Sequence, residues 1–450
     1  MTQIQVNFDH SVQKIKPMHA MGQPPFAGGF LSFDFSHMKH LQNAHVPYSR
    51  LHDVDGLYGG NRFVDIPNIF RDFDADENDP ESYDFAFTDV LLEAMAEYDL
   101  KPIFRLGVTI ENQMHIKAYR IHPPKDFAKW ARICEHVIRH YNEGWADGYR
   151  YGIEYWEIWN EPENGPTPET NQMWTGTPEQ FFELYDVTAK HLKACFGDTI
   201  KVGGYGSCGF GGIFFDPERY KMDVPRRPYD AVKAPRYFFR TDYLFDFLAY
   251  IKEHNSPLDF FSWHSYFDID KTMAMEQFLH RTLTEYGYGD LETHLNEWNN
   301  AFGNENHGSS FASASVAAMM CAMQTKAHTD MLCYYDSRLQ ASSYGGLFAP
   351  LTYKPVCTYY SFAAFGELYA LGTQAESSCA DKEVYTLAAT NGTEKAIMIV
   401  NTAKEDKEIC LNVDGEWTVS LIDREHLLEP VEYDPAKFVL KANQVAFLKQ

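Results

Sequence analysis

Two glutamates of this chain lie in similar local surroundings and could act on one chemical bond. Glu161 lies near the end of the segment Tyr155–Pro162 (YWEIWNEP), and Glu297 lies in the segment Thr293–Asn299 (THLNEWN). Each glutamate follows an asparagine and an apolar run, and each has a tryptophan within two residues. Hydrolysis of a glycosidic bond needs two carboxyl groups: one gives a proton to the leaving oxygen, and the other attacks the anomeric carbon or activates water. The pair therefore indicates glycosidic-bond chemistry.

The elements that must position these glutamates alternate between short apolar runs and amphipathic segments, which favours βαβ units and a parallel sheet. Eight strands are predicted, at Met18–Gly22, Pro47–Asp53, Lys101–Gly107, Tyr155–Pro162, Ile200–Tyr205, Leu258–Tyr266, Thr293–Asn299 and Met331–Arg338. Helices are predicted at 127–141, with Asp126 as the cap, and at 178–196, 241–254, 272–286, 311–327 and 358–371. Eight such units predict a (β/α)8 TIM barrel, whose active sites lie at the carboxyl ends of the strands. The Gly/Pro/Asp-rich stretches 54–82 and 206–237 are predicted as loops at that end.

The sequence changes character after about residue 372. Short alternating runs follow, separated by turn pairs such as Asn391-Gly392 and Asp414-Gly415, which predicts a small antiparallel β-sandwich. The N-terminal run Ile4–Phe8 also alternates. We therefore predict a catalytic barrel over residues 15–372 and a β-sandwich accessory domain formed by residues 1–14 and 373–450.

The four residues Trp159-Asn160-Glu161-Pro162 resemble the fourth-strand motif of clan A glycoside hydrolases. The resemblance implies that Glu161 is the general acid/base and that Asn160 hydrogen-bonds the sugar 2-hydroxyl. It also implies that Glu297, at the end of the seventh strand, is the nucleophile of a retaining mechanism. For the acid role the pKa of Glu161 must be high. We expect apolar neighbours such as Trp156 and Trp159, with the charge of Glu297, to raise it.

Further motifs are similar to those of glycoside hydrolase family 39, whose members include β-xylosidases. They are Arg50-Leu51-His52, His264-Ser265-Tyr266, Pro17-Met18-His19 and Gly22-Gln23-Pro24-Pro25. The resemblance places Arg50 and Tyr266 near the nucleophile. The histidines His52 and His264 are candidates to hydrogen-bond sugar hydroxyls. Asp336, on the eighth strand, could bind an outer hydroxyl or form a salt bridge at the barrel end.

Two departures from the family pattern leave the sugar specificity open. Glu163 follows the Asn-Glu-Pro motif where asparagine is familiar, and Trp298 follows the nucleophile where phenylalanine is familiar. We include Trp298 among the candidate substrate-binding residues. The resemblance implies an exo-acting glycosidase for a pentose-type sugar such as xylose or arabinose. An endo-acting clan A glycanase, a non-catalytic carbohydrate-binding protein and a metal-dependent sugar isomerase are the alternatives, although the presence of both glutamates argues against a non-catalytic protein.

The composition limits the partners to be expected. The formal net charge of −24 disfavours nucleic acid and anionic membranes, which leaves a small oligosaccharide or glycoside as the expected partner. Homo-oligomer formation is left open. The sequence shows no apolar leader and no run of about 18 apolar residues, and its eight cysteines have no C-x-x-C spacing. These features predict a cytoplasmic protein with free thiols. Nucleotide and zinc motifs are absent from the sequence, so no cofactor or metal is predicted.

Overall fold

The described strands of the protein form a closed barrel, a nine-stranded sheet and a two-stranded sheet. The computed structural model describes residues 1–28, 33–54, 64–110, 121–339, 342–344, 346–432 and 438–450. In chain order the strands are β1 (Thr2–Lys14), β2 (Ala20–Gly22), β3 (Ala27–Gly28), β4 (Phe33–Asp34), β5 (Tyr48–Leu51), β6 (Lys101–Leu106), β7 (Tyr155–Ile158), β8 (Lys201–Ser207), β9 (Phe260–Ser265), β10 (Glu292–Trp298), β11 (Met331–Tyr334), β12 (Thr373–Cys379), β13 (Val384–Thr390), β14 (Lys395–Asn401), β15 (Lys407–Leu411), β16 (Thr418–Ile422), β17 (Leu427–Val431), β18 (Val439–Leu440) and β19 (Gln444–Lys449).

The helices lie mainly between the barrel strands. They are α1 (Met38–Asn43), α2 (Ile66–Ile69), α3 (Ala86–Glu97), α4 (Phe127–Asn142), α5 (Pro178–Phe196), α6 (Lys233–His254), α7 (Ile269–Tyr286), α8 (Ser310–Lys326) and α9 (Cys357–Leu371). Asp126 caps α4, as predicted, by accepting a hydrogen bond from the backbone N–H of Lys129. None of the helices in the described ranges combines the length and the apolarity that a membrane span requires.

The barrel closes in the strand order β10-β11-β2-β5-β6-β7-β8-β9. All eight predicted strands are present, so the (β/α)8 barrel is confirmed. Several are shorter than predicted at their carboxyl ends. The clearest case is β7, which ends at Ile158 rather than Pro162 because the backbone turns to positive φ at Trp159 (71°) and Glu161 (45°). The motif with the first glutamate therefore follows the strand instead of forming part of it.

The long stretches predicted as loops carry some short structure. Residues 55–63 of the first stretch lie outside the described residues, and α2 and a 3-10 turn at Pro80–Ser82 occupy part of its remainder. In the second stretch a 3-10 turn spans Gly211–Phe214, and α6 begins at Lys233, eight residues before the predicted helix start at 241. Pro235 suits the first turn of a helix, where a missing backbone N–H is tolerated. Periodicity alone therefore placed the start of this helix too late.

The nine-stranded sheet has the order β17-β16-β19-β14-β13-β12-β1-β15-β18. Strand β1 pairs antiparallel with β12 and parallel with β15, so the N-terminal segment is an interior strand of this sheet. The sheet curls around an apolar core to which strands from both ends of the order contribute, including Ile4, Val419, Leu440 and Leu448. This arrangement agrees with the predicted sandwich that follows the barrel.

The chain divides into two compact units. One comprises Met1–Tyr48, Tyr266–Thr272 and Trp298–Gln450, and the other comprises Ser49–Ser265 and Met273–Glu297. The first unit holds the nine-stranded sheet. The second holds β6 to β9 together with both candidate catalytic glutamates. This division does not follow the predicted boundary at residue 372, which stays a prediction.

Candidate active site

The irregular turn after β7 brings neighbouring side chains to the same side. The backbone N–H of Glu161 donates to the carbonyl oxygens of Tyr205 (3.1 Å) and Gly206 (3.0 Å) at the end of β8. In a regular strand, Asn160 and Glu161 would point to opposite faces. Here Asn160 Oδ1 accepts a hydrogen bond from Arg50 (2.5 Å), and Glu161 Oε1 lies 2.8 Å from His264 Nδ1. The backbone is therefore irregular at this position.

The two glutamates face each other across one histidine. His264 Nδ1 lies 2.8 Å from Glu161 Oε1 and 3.7 Å from Glu297 Oε2. A carboxyl oxygen of Glu161 lies within 4.8 Å of one of Glu297. Retaining glycosidases hold their two carboxyl groups about 5–5.5 Å apart, whereas inverting enzymes leave about 6.5–9.5 Å for a water molecule. The pair has the closer spacing.

Arg50, on β5, connects three of the buried polar groups. Its Nε donates to Glu157 Oε2 (2.7 Å), its Nη1 to Glu297 Oε2 (3.1 Å) and its Nη2 to Asn160 Oδ1 (2.5 Å). Glu157 is fully buried inside β7, and its other oxygen accepts from Ser262 (2.6 Å) and Asn296 (2.6 Å). The guanidinium is thereby fixed, and it orients the carboxylate of Glu297.

The electrostatics of Glu161 differ from the expectation that its surroundings raise the pKa. Burial alone would raise the pKa of Glu161, but the hydrogen bond and the positive charge of His264 lower it to about 2. Burial alone would lower the pKa of His264, but the charges of Glu297 and Glu161 raise it above the ordinary value. Burial does raise the pKa of Glu161, as expected, but His264, Arg240 and Asn164 together lower it by more. The pKa of Glu161 is therefore lowered and that of His264 is raised, which favours the ionised form of both groups.

Asn164 fixes the second oxygen of Glu161. Its Nδ2 donates to Glu161 Oε2 (2.5 Å), and its own side-chain oxygen accepts from Arg236 Nη2 (2.8 Å). Both Arg236 and Arg240, from the first turns of α6, also donate to the Asn164 carbonyl oxygen. The sequence interpretation missed these arginines. The segment that holds Arg236 was predicted as a loop, and such a prediction does not say which residues its side chains contact.

Other buried polar residues of the site were also missed. Glu157 had a usable signal, since a charged residue inside the apolar run YWEIW must be paired when buried. Asn296 had a weaker one in its position beside Glu297. Glu163 had been noted only as a departure from a family pattern, yet its carboxyl is completely buried.

The remaining predicted site residues have varied surroundings. His52 is buried, with Nε2 3.3 Å from Asp53 Oδ1. The other compact unit contains Tyr266, Trp298 and Asp336. Tyr266 packs against the rings of Phe302 and Tyr344, and Trp298 is fully buried against Tyr334 and Phe362. Asp336 is fully buried and accepts from the Arg338 backbone N–H (3.1 Å) and Nε (2.8 Å), the salt bridge that the sequence had left open. The sugar contacts of these four residues stay predictions.

Two groups of side chains in the described ranges have donor atoms close enough together for a metal ion. One is Glu161, His264 and Glu297, and the other is Glu135, His191 and Cys195 between α4 and α5. In the first group, the guanidinium of Arg50 already contacts Glu297, and its charge opposes a second cation. In the second, Glu135 pairs with Arg139 (2.7 Å) and His191 (2.6 Å). The side chains of both groups are therefore engaged with one another or with arginine.

Two proteins of similar sequence are named as beta-xylosidases. The chain is 24% identical to a beta-xylosidase of Geobacillus stearothermophilus over 247 residues, which is 52% of this chain and 39% of that protein. It is 29% identical to a beta-xylosidase of Caldicellulosiruptor saccharolyticus over 135 residues, 27% of this chain and 25% of that protein. The chain therefore covers well under half the length of these relatives.

Solved structures share the fold over the whole chain. A glucosidase from Croceicoccus marinus aligns with a TM-score of 0.74 and 19% identity, covering 100% of this chain and 98% of that one. A monomeric beta-xylosidase from Caulobacter crescentus CB15 aligns with a TM-score of 0.68 and 15% identity, covering 100% and 99%. At these identities the likeness concerns the fold. The model of glycosyl hydrolases family 39 matches residues 38–334, which is more than half of the sequence, and the chain belongs to that family.

Proposed function

We propose that this protein is a retaining, exo-acting glycosidase that releases a pentose-type sugar, xylose or arabinose, from small oligosaccharides or glycosides. The observation that carries the proposal is the close approach of Glu161 and Glu297 across His264. Family membership supports a glycosidic-bond reaction, and the names of the two curated relatives support xylose as the sugar.

The first half-reaction breaks the glycosidic bond. The Glu297 carboxylate, oriented by Arg50, attacks the anomeric carbon while Glu161 protonates the leaving oxygen. Glu161 is ionised in the free protein, so it must gain a proton before this step. The imidazolium of His264 offers one at Nδ1, 2.8 Å from Glu161 Oε1.

The second half-reaction releases the sugar. Glu161, now a carboxylate, takes a proton from water as the water attacks the glycosyl–Glu297 ester, and the anomeric configuration is retained. Because its pKa is low, Glu161 is a weak base. It can take a proton from water only while that proton can pass on to His264, whose pKa is raised. Glu161 and His264 therefore work as a pair that shares one proton.

The remaining predicted contacts belong to substrate binding. Asn160 is the proposed partner of the sugar 2-hydroxyl, because Arg50 holds its side chain beside the catalytic pair. We keep His52, Tyr266, Trp298 and Asp336 as proposed contacts to other parts of the sugar. We also infer that the protein works in the cytoplasm, because all eight of its cysteines are free thiols, which suits a reducing compartment.

A panel of nitrophenyl glycosides tests the proposal, with the anomer of the first product followed by NMR. We expect the highest kcat/KM on a pentoside and initial formation of the anomer with the substrate's configuration. On xylo-oligosaccharides, an exo-acting enzyme releases monosaccharide from the start, whereas an endo-acting enzyme releases shorter oligosaccharides. An inverted first product would contradict the mechanism, and absence of hydrolysis across the panel would contradict the proposed activity.

A further inference from the structure

Glu163 is a fully buried carboxyl group for which the reaction above has no use. It lies two residues after Glu161 and none of its side chain reaches solvent. Its Oε1 accepts hydrogen bonds from Ser207 Oγ (2.8 Å) and the Cys208 backbone N–H (2.7 Å). Its Oε2 is buried with no hydrogen-bond partner among the described residues. A buried carboxylate needs donors on both oxygens, so this one-sided arrangement favours the protonated form.

The groups that face Glu163 include few charges. Burial, and then the charge of Glu161, raise the pKa of Glu163 to about 7, while the hydrogen bond from Ser207 opposes this shift. On β8 and α6, the pKa values of Tyr205, Tyr243 and Cys208 are all raised by burial, which keeps them neutral. Arg240 is a nearby cation, and it donates hydrogen bonds to the Asn164 carbonyl oxygen. Among the described residues, Glu161 and Arg240 are the charges that shift the pKa of Glu163.

The surroundings of Glu163 connect to those of Glu161. Asn164, the next residue, donates to Glu161 Oε2 (2.5 Å) and lies 3.8 Å from Cys208 Sγ. The backbone N–H of Cys208 in turn donates to Glu163. A new negative charge on Glu163 would arise in this water-poor region, where screening is weak and like charges raise each other's affinity for protons.

We propose that Glu163 is a positioning residue that carries a proton in the working enzyme, and that the loss of this proton increases the proton affinity of Glu161. The proposal rests on the acid/base role proposed for Glu161. As the pH rises through the neutral range, Glu163 ionises, and its negative charge helps the Glu161–His264 pair to keep the proton that Glu161 must receive for the first half-reaction. Glu163 therefore extends activity toward alkaline pH.

The pH profile of Glu163→Gln tests this proposal. Glutamine keeps the size of the side chain and an oxygen for Ser207 and Cys208, but it cannot ionise. On a substrate with a poor leaving group, such as xylobiose, we expect the alkaline limb of kcat/KM to move to lower pH by roughly one unit. On a dinitrophenyl glycoside, whose leaving group needs little protonation, the limb should not move. Glu163→Asp, which keeps an ionisable carboxyl, should restore the wild-type limb.

The pH dependence of thermal stability is a second test of the proposal, and it does not depend on turnover. A carboxyl with a raised pKa binds a proton in the folded state that the unfolded state has released. The contribution of Glu163 to the free energy of unfolding therefore falls as the pH rises from about 4.5 to about 7. Glu163→Gln lacks this loss, so its Tm relative to wild type should increase across that range. Glu169→Gln, an exposed glutamate of the same loop, serves as the control and should show no such trend.

The possible failures can be told apart. Alkaline limbs of Glu163→Gln and wild type that superimpose on xylobiose, or a Tm difference that is constant with pH, would overturn the proposal. If the glutamine variant does not fold, infrared difference spectra of the wild-type protein should show the carbonyl stretch of a protonated carboxylic acid that disappears through neutral pH. Its absence would overturn the proposal equally. Failure of the role of Glu161 would appear separately, as equal losses of Glu161→Ala on activated and unactivated substrates.

Discussion

The carboxyl of Glu161 has to donate a proton in the first half-reaction and accept one in the second, and its neighbours control both steps. Its oxygens are hydrogen-bonded by His264 (2.8 Å) and Asn164 (2.5 Å). The histidine lies close enough to Glu297 (3.7 Å) for both carboxylates to stabilise its charge. Formation of a bond between Glu297 and the sugar would remove one of these negative charges. That removal would weaken the hold of His264 on its proton while the new bond forms, which is when Glu161 must receive a proton for the leaving oxygen.

Removing each glutamate should give different kinetic results. Glu297→Ala should lose nearly all turnover on every substrate, and azide should not return a product with the native anomeric configuration. Glu161→Ala should lose about 10²–10⁴-fold in kcat/KM on substrates with poor leaving groups. It should lose far less on dinitrophenyl glycosides, which leave without a proton. Initial rates on the two leaving groups and NMR of the azide products measure these effects.

Asn160→Ala should weaken binding of the transition state more than binding of the substrate. Hydrogen bonds to the sugar 2-hydroxyl that strengthen in the transition state are worth several kcal/mol in retaining enzymes, so kcat and kcat/KM should fall together. On a 2-deoxy substrate the substitution should matter far less. Since Asn160 also accepts from Arg50, equal losses on both substrates would mean that it only supports the arginine.

At the scale of elements, Gly206 near the end of β8 allows the site to close. Its φ is +62°, and a Cβ atom there would lie 3.0 Å from both Arg50 Nη2 and Asn160 Oδ1 and 3.3 Å from His264 Nε2. Its backbone N–H is held by Ser262 (2.8 Å). No side chain larger than hydrogen fits without displacing these groups.

Gly206→Ala should therefore reduce activity, and Gly197→Ala is its matched control. Gly197 also has a positive φ (+56°), but nothing lies within 4 Å of a Cβ built there. Both variants carry the strain of an alanine at positive φ, so both should lose some thermal stability. Only Gly206→Ala should lose kcat/KM, by tenfold or more if a few tenths of an ångström matter at Arg50 and Asn160. Similar activities of the two variants would mean that the close approach is unimportant.

Elements with strong periodicity could be predicted from sequence, whereas their ends could not. Helix α4 and its Asp126 cap agree with the predicted pattern, and each barrel strand lies where an apolar run predicted it. The end of β7 was missed because positive φ at Trp159 and Glu161 depends on hydrogen bonds to β8, which is remote in sequence. The partners of Glu161 were missed for the same reason, since Asn164 and His264 reach it only after the barrel has closed.

At the scale of the whole molecule, the segments that form the nine-stranded sheet lie at both chain ends. The matched family region ends at residue 334, and β12 to β19 all follow it. Strand β1 lies between β12 and β15 and contributes Ile4 and Val6 to the core of the sheet. The sheet therefore contains the first residues of the chain together with the last.

No disulfide crosslinks the chain, although its eight cysteines could have formed them. All eight are free, and four of them, Cys134, Cys321, Cys333 and Cys357, are buried. Burial raises the pKa of Cys321 to about 12 and that of Cys357 to about 11, so their reactive thiolates are scarce at neutral pH. We expect a reductant to leave Tm unchanged, and a thiol reagent to label all eight cysteines in denaturant but not the buried four in the native protein. Two results would contradict this prediction: a fall of several degrees in Tm on reduction, or fewer than eight thiols in denaturant. Either would show that the protein contains a disulfide. The free thiols would then no longer support a reducing compartment.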